Sequence, residues 1–207
     1  MIVAVDGPTA SGKGTIAAAI ARHLGLPHLD TGLLYRAVGW TVREHGGDPD
    51  DPADAAAATA FDPSLLSDER LRGEDAGSLA SRVSVHPEVR DALFARQRAF
   101  ATQPGGAVLD GRDIGTVIAP DATVKLFVTA SASERARRRW MELKGRGVAA
   151  TLAEVERDIA RRDARDIGRP DAPLKPAADA FVLDTTPFGR DDAIRAALDI
   201  VEAARRS

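Results

Sequence analysis

No cysteine occurs in this chain, which removes disulfides, thiolate nucleophiles and cysteine-ligated zinc. Aromatic residues make up only 4% of it, with a single tyrosine, so the core must be assembled from Ala, Val, Leu and Ile. No apolar run approaches the roughly 20 residues of a membrane span, and no basic leader precedes the first apolar run, Ile2 to Val5. A cytoplasmic protein with no membrane partner is the expectation. Charge of one sign is also lacking: a formal net charge of −3 supplies no overall field for DNA, RNA or acidic lipid. That sum hides an uneven placement, because arginines crowd between Arg135 and Arg169 beside enough Asp and Glu to hide the excess from the whole-chain sum. The four histidines, His23, His28, His45 and His86, are scattered and read as surface or packing residues rather than a metal set.

A length of 207 residues suits one domain with small insertions. Short apolar runs alternate with longer amphipathic ones, the pattern of a parallel sheet covered by helices. Strands are predicted at Ile2–Val5, Pro27–Leu29, Ala107–Leu109, Thr123–Val128 and Phe181–Leu183. Helices are predicted from Lys13 to Leu24, then through Leu34, Val38 and Val42, from Arg82 to Phe100 with a break at His86-Pro87, and from Asp191 to Ala204. Another starts near Ser133, read as its cap, and ends at Lys144–Gly147. Thr151 with Glu154 three residues on reads as a capping box. The Asp, Pro and Ala-rich stretch to Arg72 reads as short helical pieces anchored by Leu65, Leu66 and Leu71.

The strongest local signal is Gly7-Pro8-Thr9-Ala10-Ser11-Gly12-Lys13-Gly14-Thr15 between a strand and a helix. Glycines let backbone N–H groups wrap a phosphate, and the following helix presents its positive end to it. Lys13 supplies a mobile charge for the β and γ phosphates. The strict G-x-x-x-x-G-K-[ST] pattern is missed by one residue, because Gly14 fills its last place. Thr15, immediately next, then becomes the candidate hydroxyl on the magnesium side. Such a loop points to ATP or another nucleoside triphosphate without naming what receives the phosphate.

Thr31 and Arg36 follow the second strand, and Arg112 follows the third. They read as a clamp for a second anion, since open α/β sheets place ligands beyond the carboxyl ends of their strands. Arginine's rigid fork suits that task.

The chain closely resembles bacterial cytidylate kinases, nucleoside-monophosphate kinases with a P-loop. The likeness rests on GPTASGKGT at 7–15, LDTGLLYR at 29–36, VRDALFARQRAF at 89–100, DGRDIGTVIAP at 110–120, RRDARDIGR at 161–169 and PAADAFVLDT at 176–185. Together these run through almost the whole chain in the family's order. The resemblance implies a three-layer α/β fold with five parallel strands, and transfer of the γ-phosphate of ATP to CMP or dCMP with Mg2+. It implies that Thr31, Arg36 and Arg112 bind the acceptor phosphate, that Ser81, Arg90, Asp113 and Arg169 surround cytosine, and that Arg162 and Asp166 lie near the ribose. Lys13, Arg112 and Arg162 are the expected catalytic set. Asp113 can accept from the amino group of cytosine but not pair with O4 of uracil. Arg139, Arg157, Arg161 and Arg165 are candidates for a shell over ATP. Adenylate kinase shares the loop and the LDTG region, but its DGFPR-type acceptor motif is absent here.

Core segments are expected at 1–45, 81–141 and 159–207, with an acceptor-binding excursion at 46–80 and a lid at 142–158. Family members carry added β structure in that excursion. Phe61 to Arg72 is too short and polar for it, so a trimmed or helical excursion is expected. A monomer with ATP and CMP or dCMP as its partners is expected, and no nucleic acid.

Overall fold

The computed structural model describes residues 1–206. Five strands form one all-parallel sheet in the order β2-β3-β1-β4-β5: β1 Ile2–Asp6, β2 His28–Asp30, β3 Ala107–Gly111, β4 Val124–Thr129 and β5 Phe181–Asp184. β1 lies at the centre, with Val3 opposite Val108 on one side and Val124 on the other. Alternation along this strand sends its side chains to opposite faces. Val3 and Val5 pack in one cluster with Ile16 and Ile20 of α1 (Lys13–Leu24) and Ala197 and Val201 of α8 (Arg190–Arg206). Ala4 faces the other layer, with Leu109, Ile114 and Ile118. Helices therefore seal both faces, as the apolar strand runs require.

Between β2 and β3 all the regular elements are helical. α2 (Thr31–Glu44) buries Leu34, Val38 and Val42, the stripe expected of it. α3 (Pro52–Ala57) and three 3₁₀ turns follow, then α4 (Glu74–Val83) and α5 (Pro87–Ala101). Leu71 is fully buried in their shared core, while Leu65 and Leu66 are partly buried against it. The helix expected from Arg82 is two helices, the first beginning at Glu74. Three residues, Ser84–His86, separate them because Pro87 opens α5 and cannot continue the previous turn. The N-terminus of α6 (Ala132–Gly145) is also corrected: Ser131, not Ser133, caps it, its hydroxyl accepting from Glu134 N at 3.2 Å. α7 (Leu152–Gly168) begins with the capping box read from Thr151 and Glu154. α6 and α7 pack on each other through Ala136, Leu143, Val155 and Ile159. Among the described residues no helix is long and apolar enough to cross a membrane.

This topology converges the carboxyl ends of β1, β2 and β3 on one crevice. Its walls are α4 on one side and α6 with α7 on the other.

Candidate active site

The loop from Gly7 to Gly12 joins β1 to α1. At Gly7 any side chain is excluded, since a Cβ would lie 2.0 Å from the Val128 carbonyl oxygen. Gly12, at φ +91°, turns the backbone into the left-handed region just before the helix. Asp6 locks the base of the loop by accepting from Ile114 N at 2.8 Å and Gly115 N at 2.7 Å. Burial raises its pKa to about 7 despite those two bonds. Arg135 of α6 holds the loop from outside, donating to Thr9 O at 3.2 Å and to Asp163 through both terminal nitrogens.

Lys13, first in α1, donates to Pro8 O at 3.3 Å. Burial pulls its pKa down to about 7; Arg112 adds to the shift, and Asp110 and Asp30 oppose it. Asp30 caps α2 through Gly32 N at 2.9 Å, and burial, then the charge of Asp110, raises its pKa. Asp110 sits against the loop, one carboxylate oxygen 3.6 Å from where a Cβ on Gly14 would stand. Its other oxygen is hydrogen-bonded to His28 Nε2 at 2.7 Å. His28 is therefore in contact with a residue of the site, rather than the surface or packing residue the sequence suggested.

Two cavities meet at Lys13. One, about 240 Å³, runs from the loop toward α4 and α7 and is lined by Thr31, Arg36, Ser81, Arg112, Asp113, Arg162, Asp166 and Arg169. The second, about 650 Å³, opens between the loop with Thr15 and a wall of Arg137, Arg138, Thr185 and Phe188. Of the residues expected around the acceptor, only Arg90 does not line the first cavity. It stands behind it, bonded to Asp113 and 3.5 Å from the Tyr35 hydroxyl. Of the four lid arginines, only Arg139 borders the cavities. Arg157 and Arg161 are exposed, and Arg165 leans on the Arg161 carbonyl.

Most cavity side chains are held by neighbours distant in sequence. Thr31 donates to Asp110 O at 2.8 Å, and Arg36 to Leu71 O at 2.7 Å and Gly73 O at 3.1 Å. Arg112 Nε donates to Asp166 at 2.7 Å, leaving its terminal nitrogens open to a ligand. Burial raises the Asp166 carboxyl, but Arg112, Arg169 and Arg162 bring it below the usual range overall. Burial lowers Arg36 to about 10, with Arg162 adding to the shift, and lowers Arg162 and Arg169 as well. These cations are crowded, and among the described residues Arg36 and Arg169 donate only to backbone carbonyls. Three buried polar atoms have no partner here: Ser81 Oγ, Arg162 Nε and Arg169 Nε. A buried polar group left unpaired costs about 1–3 kcal/mol, so this wall is built for a polar, anionic guest.

Sequence reasoning missed Asp30, Tyr35 and Glu74. Tyr35 is the chain's one tyrosine and falls inside LDTGLLYR, a signal that could have found it. Glu74 lies in a run of small residues and had none.

A phosphate loop with a cationic cleft on one side and an open cavity on the other has room for two anions end to end across one lysine. Fold and site together define a P-loop phosphotransferase of the nucleoside-monophosphate kinase class. The family model described as cytidylate kinase matches residues 3–203. A cytidylate kinase of Cereibacter sphaeroides (strain KD131 / KCTC 12085) is 56% identical over 200 residues, covering 97% of this chain and 94% of the relative. One of Methylocella silvestris is 55% identical over 208 residues, covering 100% and 96%. The chain belongs to the cytidylate kinase family. A crystal structure of an uncharacterized protein from Eubacterium ventriosum ATCC 27560 shares the fold, with a TM-score of 0.57 over 98% of each chain at 14% identity.

Proposed function

We propose that the chain transfers the γ-phosphate of ATP to CMP or dCMP, with the acceptor in the smaller cavity and the donor in the larger. The observation that carries this reading is the cluster of unpaired buried atoms, Ser81 Oγ, Arg162 Nε and Arg169 Nε, beside the Asp113 carboxylate. Ser81, Asp113 and Arg169 offer hydrogen bonds to a base, and Arg162 offers them to the sugar.

Phosphoryl transfer needs alignment and charge compensation more than a dedicated nucleophilic side chain. Thr31, Arg36 and Arg112 hold the acceptor phosphate so that one of its oxygens faces the donor's γ-phosphorus in line. Gly7 to Gly14 cradle the donor phosphates with backbone N–H groups, and Lys13 follows the charge as it spreads over the transferred group. Arg112 and Arg162 flank that point from the acceptor side. Asp113, oriented by Arg90, accepts the cytosine amino hydrogen with its other oxygen, while Ser81 and Arg169 complete the base contacts. Arg162 and Asp166 face the ribose.

Among the described residues no three His, Cys, Asp or Glu side chains are grouped to hold a metal. The donor set instead fits a magnesium ion carried in by the nucleotide: the exposed Thr15 hydroxyl, with Asp110 and Asp30 near the loop. Mg2+ takes one or two protein oxygens and completes its shell from phosphates and water. When bound it neutralises charge on the β and γ phosphates.

Segments 46–80 and 142–158 act as acceptor-binding excursion and lid, the closing parts of the site. The reading is of a monomer acting in the cytoplasm, where both nucleotides meet magnesium. An acceptor panel of AMP, CMP, UMP and dTMP, reading ADP and nucleoside diphosphate together, tests the assignment. CMP should give the highest kcat/KM; a preference for AMP would replace it.

A further inference from the structure

Glu74 opens α4 and reaches across the mouth of the site. Its carboxylate accepts from Arg139 of α6, through Nε at 2.7 Å and through Nη2, and from Arg162 Nη1 of α7 at 3.3 Å. Arg139 borders both cavities, and Arg162 lines the acceptor one. Neither arginine is held by Glu74 alone: Arg139 also meets Glu142 at 2.7 Å, and Arg162 meets Asp158 at 3.8 Å. Among the described residues, Glu74 is the carboxylate that grips both. A second crossing lies nearby, where Arg146 Nη1 donates to Arg72 O at 3.0 Å.

Positions 74, 77 and 81 share one helical face. Gly77 gives that face its closeness to the arginines, since a Cβ there would stand 3.3 Å from Arg162 Nη1 and 3.5 Å from Arg36 Nη2. Two turns on from Glu74, Ser81 presents its unpaired hydroxyl to the acceptor cavity. One rigid helix thus carries an acceptor contact at one end and a grip on the donor-facing arginine at the other.

We infer that Glu74 couples the two substrates: an acceptor that fixes α4 sets Arg139 and Arg162 for the donor, and the donor returns the effect by linkage. This rests on the assignment of the Ser81 cavity to CMP. A carboxylate that merely stabilised the fold could be replaced without changing the coupling between the two nucleotides.

The test is calorimetric titration of the β,γ-imido analogue of ATP with Mg2+, with and without saturating CMP, on wild type, Glu74→Gln and Arg146→Ala. Wild type should bind the analogue about tenfold more tightly with CMP present, a coupling of ~1.4 kcal/mol. Glu74→Gln should reduce that factor below about twofold. Arg146→Ala, which removes the second crossing and one partner of Glu142 but leaves both Glu74 pairs in place, should retain most of it. Hydrogen exchange gives an independent readout: CMP alone should protect α6 and α7 in wild type but not in Glu74→Gln. An unchanged factor in Glu74→Gln overturns the inference, as does a factor of one in a wild type that binds both nucleotides. Equal loss in both variants would assign the coupling to general closure and overturn it too. A wild type that binds the analogue but not CMP would overturn the acceptor assignment itself, and this inference with it.

Discussion

The Lys13 ammonium lies among Arg112, Asp110 and Asp30, and burial holds its pKa near 7. At pH 8 most of the free protein therefore carries Lys13 neutral. A triphosphate beside it favours the charged form and moves the pKa back up. Donor binding should then take up about one proton at pH 8, and much less at pH 6, where Lys13 is already charged. Titrating the imido analogue in buffers of different ionisation enthalpy measures this, with Lys13→Ala as the reference that removes the uptake. Equal uptake by both proteins would place the titrating group elsewhere. Asp113 poses a question of selectivity. One carboxylate oxygen is committed to Arg90, so only the other is free for a base. Asp113→Ala should lower the ratio of CMP to UMP efficiency by roughly tenfold to a hundredfold, the worth of one base-edge contact. It also strands Arg90, whose side chain is 9% exposed, and breaking such a buried pair costs about 3–5 kcal/mol. Asp113→Asn, which keeps the shape, is the companion variant should Ala not fold. A proportional loss for CMP and UMP would mean that Asp113 only supports the Arg112 loop. The sequence told this much through DGRD, but not the Arg90 partnership 23 positions away, nor the Arg112–Asp166 pair 54 positions apart. Such pairings arise only when β3, α5 and α7 are brought together.

Among the elements, α4 and α2 pack most closely at Gly39. A Cβ there would sit 2.7 Å from Leu79 Cβ and 2.9 Å from the Leu79 carbonyl carbon. Glycine inside an exposed helix costs up to about 1 kcal/mol relative to alanine, so propensity alone would make Gly39→Ala stabilising. The contact reverses that sign. With Leu79 backbone in the way the helices must separate, and overpacking of this kind costs about 1–3 kcal/mol. Gly39→Ala should lower Tm by a few degrees and, because Ser81 rides on α4, raise KM for CMP more than KM for ATP. A higher Tm would show that the α2–α4 interface can yield. The same packing explains why α4 escaped detection in the sequence. Glu74 to Val83 has Ala76, Leu79, Ala80 and Val83 at helical spacing, but two of the four are alanines among small and polar residues, and its fit against Gly39 is long-range. α1 and α7 were legible for the opposite reason. Their boundaries are written locally, by Gly12-Lys13 and by the Thr151–Glu154 box. Ser131 and Ser133 show the limit of such reading: both serines stand at the start of a helix, but only Ser131 lies three residues ahead of Glu134, where its oxygen reaches the N–H.

At the scale of the whole molecule, the sign of the net charge does not describe the site. The chain sums to −3, yet Lys13, Arg36, Arg112, Arg139, Arg162 and Arg169 surround one cleft. Their local counterions are Asp30, Glu74, Asp110, Asp113, Glu142 and Asp166, and Asp113 and Glu142 are themselves shared with Arg90 and Arg146. An approaching anion feels both fields, and distance decides between them. At 0.15 M salt the Debye length is about 8 Å, so the diffuse negative charge on the far faces is screened before a nucleotide reaches the mouth. Inside the cleft, low-dielectric walls focus the arginines' potential on the incoming phosphate. The local field should therefore win for encounter. Raising potassium chloride from about 0.05 to about 0.5 M should reduce kcat/KM for CMP several-fold through KM, while kcat, read with both nucleotides bound, changes little; these ranges are on the order expected for steering by a few charges. Magnesium and nucleotide must be held saturating where they are not the variable, so that salt acts only on the encounter under study. Removing one exposed acid far from the site, as in Asp199→Asn, should leave the slope of log kcat/KM against ionic strength unchanged. Were the rate instead to rise with salt, repulsion by the molecule's overall negative charge would outweigh the cleft's attraction, and the arginines would be acting only at contact.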